Sequence, residues 1–135
     1  MLHKIKEFVE LCKKEFGRNL VSIVLFGSWA KGKQHEFSDF DFYVVVKKED
    51  EATRWRIMKE FSSNCDIVMR AEDDLEYYLR NLNALDLNVI STGKNIYGKD
   101  VIKRYGNLLK GVKKEYNLIN REQLGKGVWE IGAAG

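Results

Sequence analysis

The chain has 135 residues, 44% hydrophobic and 32% charged, with a formal net charge of +3. A chain of this length buries about two thirds of its unfolded surface, enough for one core without staples, and its composition excludes a disordered or fibrous class. The mild positive charge suits an anionic small ligand but argues against a protein that coats nucleic acid, and no apolar run is long enough to span a membrane.

Leu2, Ile5, Phe8, Val9, Cys12 and Phe16 recur at helical spacing, with Lys4, Lys6, Glu7, Lys13 and Lys14 opposite, so residues 2–16 form an amphipathic helix that Gly17 ends. Residues 20–26 read as a buried strand stopping at Gly27, and 28–32 as a turn or a single helical turn. A second strand covers 39–46, a helix about 51–61, and a third strand 65–69. Residues 72–82 are helical, 84–92 form a further short helix, and 94–97 a short strand closed by Gly98. A long amphipathic helix follows at 99–118, with Lys103, Arg104, Lys110, Lys113 and Lys114 on its solvated side. The tail, 121–135, has four glycines and scattered apolar residues and is expected to be flexible.

This order implies an α/β (α+β) fold, a single domain over 1–120 with a mixed sheet and helices packed on it. Cys12 and Cys65 lie far apart in no metal-like spacing and are expected to be buried free thiols. Nothing resembles a signal peptide, so a reducing cytoplasm is the expected compartment.

The chemistry concentrates in three places. Asp39 and Asp41 are two apart in a strand, on one face, with Cα atoms about 6.5–7 Å apart, while Phe40 and Phe42 anchor the other face. Two such carboxylates repel unless a cation neutralises them or water reaches them freely. Asp66 shares a face with Val68, opposite Cys65, Ile67 and Met69; if that strand lies beside 39–46, Asp66 joins the same cluster. Three carboxylates on adjoining strands suit a two-metal phosphoryl-transfer site, and hard oxygen ligands point to magnesium. Gly27-Ser28 ends a strand and opens a turn, where glycine lets a phosphate approach the backbone and serine can donate to it. Lys31 and Lys33 follow closely enough to neutralise phosphate oxygens. His35, between the two motifs, is expected to be exposed and non-catalytic.

Phe26-Gly27-Ser28-Trp29-Ala30-Lys31-Gly32 followed by Ser38-Asp39-Phe40-Asp41-Phe42 resembles the signature of the DNA polymerase β-like nucleotidyltransferase superfamily, in particular its minimal nucleotidyltransferases. Cys65-Asp66-Ile67-Val68 resembles their third-aspartate strand, and Lys94-Asn95-Ile96-Tyr97-Gly98 the strand closing their core, so the resemblance covers about residues 1–100. It implies transfer of a nucleoside monophosphate, AMP from ATP, to an acceptor hydroxyl, with pyrophosphate released. Gly27, Ser28, Lys31 and Ser38 would contact the nucleotide; Asp39, Asp41 and Asp66 would hold two Mg²⁺ ions and form the catalytic triad. Where many relatives have arginine after Gly-Ser, this chain has Trp29, with Lys31 the nearest substitute. Acceptor specificity would come from the last helix, from a second copy of the chain, or from another protein. Minimal members are commonly paired with a small helical HEPN protein as toxin and antitoxin, and some add AMP to a tyrosine of that partner. The alternatives are a non-catalytic binding module for a nucleotide or partner, and an aminoglycoside-type transferase.

Overall fold

The computed structural model describes residues 2–32 and 39–116, together with the strand segments Leu118–Asn120 and Trp129–Ile131. Ser38, Lys33 and His35 lie outside the described residues. In chain order the elements are α1 (Leu2–Phe16), β1 (Leu20–Phe26), α2 (Gly27–Ala30), β2 (Phe40–Val46), α3 (Glu51–Glu60), β3 (Cys65–Ala71), α4 (Leu75–Arg80), α5 (Ala84–Thr92), β4 (Lys94–Gly98), α6 (Val101–Tyr116), β5 (Leu118–Asn120) and β6 (Trp129–Ile131). Single 3₁₀ turns at Gly17–Asn19 and Glu72–Asp74 join α1 to β1 and β3 to α4.

The main sheet has the order β3-β2-β1-β4. β1 runs antiparallel to β2 and β4, while β2 and β3 are parallel across the α3 crossover, so the sheet is mixed. The expected α/β architecture is therefore observed, and both faces of the sheet are covered. Ile23, Leu25, Phe40, Phe42, Val44, Val46, Ile67 and Met69 face Phe8, Cys12 and Phe16 of α1 and Ile57 of α3. Val24, Phe26, Tyr43 and Val45 face Leu75 and Leu79 of α4, Leu87, Val89 and Ile90 of α5, and Val101, Leu109 and Val112 of α6. Cover on both sides is why β1 and β2 are nearly continuous in apolar residues rather than alternating. β5 and β6 pair antiparallel as a separate two-stranded ribbon beyond α6. Among the described residues no helix is long and apolar enough to cross a membrane.

Local chemistry sets the boundaries. Asp50 caps α3, accepting from the Thr53 amide at 3.1 Å and the Thr53 hydroxyl at 2.6 Å. These same bonds hold the Asp50 carboxyl below its usual range. Asn83 caps α5 through the Leu85 and Asp86 amides. α6 begins at Val101 rather than at Lys99, because the Asp100 side chain accepts from the Lys103 amide at 3.0 Å and stands before the helix as its cap. Gly98 makes the preceding corner at φ +76°, and a Cβ there would lie 2.1 Å from the Val21 carbonyl oxygen. Gly98→Ala should therefore cost about 2 kcal/mol or more, the left-handed penalty plus a backbone clash. A shift in urea midpoint at constant m-value measures it; a loss below about 0.5 kcal/mol would mean that the corner yields freely.

Candidate active site

The site is built from one end of the sheet, where β1 leaves and β2 and β3 enter. In register, Phe26 of β1 stands opposite Asp41 of β2, and Asp41 opposite Asp66 of β3. Strand alternation puts Asp41 on the face of Tyr43 and Val45, and Asp66 on the face of Val68, the face that α4–α6 cover. Registered neighbours of a parallel pair lie about 4.8 Å apart with side chains on the same side, so the two carboxylates share a shelf. Asp41 is half-buried and Asp66 exposed.

Asp39 is placed differently from the expectation of an in-strand pair. β2 begins at Phe40, whose amide donates to the Asn64 carbonyl at 3.1 Å, and Asp39 stands exposed just before the ladder. That bond also joins the entry of β2 to the entry of β3, directly before Cys65 and Asp66. Asp39 and Asp66 therefore lie close enough to Cys65 for their charges to act on its thiol. Burial first, then the charges of Asp66 and Asp39, push the Cys65 thiol up to about 11. Cys65 is half-buried rather than buried, Cys12 is buried, and both are free. Burial likewise pushes the Cys12 thiol up, so both thiols sit above the ordinary cysteine range.

Gly27 is buried at φ +74°, in the left-handed region that glycine enters without penalty, and it turns the chain from β1 directly into α2. The turn closes with the Lys31 amide donating to the Gly27 carbonyl at 3.2 Å, which leaves Ser28 half-buried beside the sheet end and Lys31 half-buried after it. Trp29 stacks on Phe40, with ring centroids 4.6 Å apart.

A divalent cation suits this donor set in kind: hard carboxylate oxygens, two of them in register on neighbouring strands. Among the described residues no group of three His, Cys, Asp or Glu side chains has closed into a ligand cage, so the structure provides the donors and their register but not a formed metal centre.

Beneath the shelf lies a feature that motif reading missed. Asp86 of α5 is fully buried; its Oδ1 accepts from the Tyr43 hydroxyl at 2.5 Å and from Arg70 Nε at 3.0 Å, and its Oδ2 from Arg70 Nη2 at 3.2 Å. The Arg70 guanidinium lies 4.1 Å from the Tyr78 ring centre. Burial and the Asp86 charge both push the Tyr43 hydroxyl up, so it stays protonated and donating. Burial opposes the charge on Arg70, but its bonds to Asp86 outweigh this and raise it. The network ties β2 and β3, the two strands that carry the aspartates, to α5. The available signal was the pattern of residues 84–92, where Leu85, Leu87, Val89 and Ile90 fall on no single helical face, so that Asp86 and Asn88 between them are drawn into the core, where a polar residue needs a partner.

A sheet end presenting paired carboxylates beside a glycine turn defines a class of nucleotidyl-transferring domains, and the family model described as "Polymerase beta, Nucleotidyltransferase" matches residues 4–102. The chain belongs to this family and is a nucleotidyltransferase. A protein of Methanocaldococcus jannaschii provisionally named protein adenylyltransferase is 32% identical over 111 residues, 74% of each chain. A second protein of that organism with the same provisional name is 35% identical over 92 residues, covering 67% of this chain and 87% of the relative. Among solved structures, a mutant of the MntA–HpeT toxin–antitoxin superposes with a TM-score of 0.57 at 20% identity, covering 83% of this chain and 91% of the other. The Enterococcus faecialis spectinomycin adenyltransferase AAD(9), solved with ATP and spectinomycin, gives 0.62 at 15% identity, covering 77% of this chain and 58% of that one. These structural likenesses establish the shared fold.

Proposed function

We propose that the chain transfers AMP from ATP to a hydroxyl of a partner protein, and that the partner is a small helical protein of HEPN type held with it as toxin and antitoxin. The observation that carries the chemistry is the register of Asp41 with Asp66 beside the Gly27 turn. The relatives' provisional name supports a protein acceptor and adenylyl transfer. The likeness in fold to the MntA–HpeT toxin–antitoxin supports the pairing.

In this reading the acceptor oxygen bonds to the α-phosphorus of ATP, the bond between that phosphorus and the bridging oxygen to the β-phosphate breaks, and pyrophosphate leaves with that oxygen. Gly27 offers backbone without a side chain to the triphosphate, and Ser28 offers its amide and hydroxyl; Lys31 and Ser38 add contacts from either side of the linker. Asp39, Asp41 and Asp66 would hold two magnesium ions, which supply neutralisation of phosphate charge and a lowered pKa at the acceptor hydroxyl. Asp66, the exposed member of the shelf, faces the side from which an acceptor arrives and receives its proton.

The test is incubation with Mg²⁺, ATP labelled at the α-phosphate, and a lysate of the source organism. Label is expected on one small protein that copurifies with the chain, and other labelled NTPs should transfer less. Label on a small molecule alone, with no helical protein copurifying, would overturn the protein acceptor; no transfer under any condition would favour a binding module.

A further inference from the structure

The ring of Trp29 belongs to a column. Trp29 stacks on Phe40 at 4.6 Å and 4°, Phe40 on Phe42 at 5.7 Å and 3°, and Phe42 on Phe8 of α1 at 3.5 Å and 5°. Phe61 meets Phe8, Phe40 and Phe42 edge-on at 5.4, 5.8 and 6.0 Å. Phe8, Phe40, Phe42 and Phe61 are buried, so this is a fixed element of the core that ends at the half-buried Trp29. The last two members at its Trp29 end sit at chemically loaded positions: Trp29 immediately follows Ser28, and Phe40 lies between Asp39 and Asp41.

Strand alternation puts Phe40 on the α1–α3 face, opposite the shelf of Asp41 and Asp66. A Trp29 ring stacked on Phe40 packs with that core and is turned away from the carboxylates. Groups that touch a ligand stay accurately placed only if packed neighbours lock the residues that carry them. Residues 33–38 separate the turn holding Ser28 from Asp39 and the start of β2 in sequence, and the stack of Trp29 on Phe40 is a direct physical link between them beside the Phe26–Asp41 register.

Resting on the nucleotidyl-transfer reading above, we infer that Trp29 is a positioning residue for the nucleotide: through Phe40 it fixes the Gly27-Ser28 turn against Asp39 and Asp41, and it does so as a ring rather than as a phosphate contact. The test is calorimetric binding of a non-hydrolysable ATP analogue with Mg²⁺ to the full chain, for wild type and for Trp29→Phe, Trp29→Leu, Trp29→Ala and Trp29→Arg, with urea unfolding of each in parallel. Trp29→Phe keeps a ring on Phe40 and should bind within about twofold of wild type, while Leu, Ala and Arg should each bind about tenfold more weakly, the scale of one aromatic pair. Leu fills the space without a ring, so it reports on the stack if Ala unfolds the protein. A purely structural role would lower the urea midpoint and leave the affinity of the folded protein unchanged. That result, or an arginine variant binding as tightly as wild type, would overturn the inference alone. A wild-type protein that binds no nucleotide would overturn the proposed function and this inference with it.

Discussion

Asp86→Ala is expected to lower the stability of the folded chain by about 3–5 kcal/mol, a large fraction of the roughly 5–15 kcal/mol that holds a domain together. The size follows from what is left behind. Arg70 would keep its charge, 18% exposed in its side chain, without the carboxylate that accepts both Nε and Nη2. The Tyr43 hydroxyl, fully buried, would lose its acceptor as well. Removing one member of a buried pair is far worse than replacing both, because the orphaned partner retains its full desolvation cost. Asp86→Leu combined with Arg70→Met should therefore recover the part of the loss that comes from the guanidinium, the Tyr43 hydroxyl still lacking its acceptor. Tyr43→Phe, which leaves the Arg70–Asp86 bonds intact, should cost about 1–2 kcal/mol. Urea midpoints of the singles and the double give the coupling energy directly. If Asp86→Ala costs less than about 1 kcal/mol, the network adds no net stability, and its fixing of β2 against β3 would need another support.

This network also marks where the sequence stops being informative. The glycine turn and the aspartate spacing are local, and strand alternation alone assigns Asp41 and Asp66 to their faces, so the glycine turn and the Asp41–Asp66 face of the sheet end were legible without coordinates. The partners of Asp86 are 16 and 43 residues away, and an aspartate in the first turn of a helix reads equally well as a favourable charge at the helix dipole. Only the docking of α5 into the core decides between them. The start of β2 was misplaced for a related reason: alternation carries through Asp39, but the bond from the Phe40 amide to the Asn64 carbonyl is what begins the ladder. Trp29 was readable as a departure from the family's pattern but not as the end of an aromatic column, since its neighbours come from α1 and β2 and the 3–5° ring alignment is a tertiary result.

Under the proposed function, Asp39→Asn with Asp41→Asn is expected to reduce nucleotidyl transfer by about a thousandfold or more, since the metal ions these carboxylates would hold contribute several kcal/mol of charge stabilisation and each 1.4 kcal/mol is about tenfold in rate. The same double variant should unfold within about 1 kcal/mol of wild type, because Asp39 is exposed, Asp41 only half-buried, and the isosteric amides keep the shape of both. This separation of activity from stability distinguishes the aspartates from Asp86, whose loss acts through the fold. The single variants should differ. Asp41 stands in the ladder opposite Asp66 and is held by register, whereas Asp39 precedes the ladder and has more freedom to be compensated, so Asp41→Asn should be the more damaging. Asp66→Asn should slow transfer more than it weakens nucleotide binding, since under the proposed function Asp66 takes the acceptor's proton besides sharing the metal ions. Pyrophosphate release measured with each variant, alongside copurification of the partner, checks all three. Release that persisted in the double variant would place the reaction elsewhere on the molecule. A double variant that lost the partner together with activity would show that the carboxylate shelf is part of the docking surface, and that acceptor recognition begins at the very residues that handle the nucleotide.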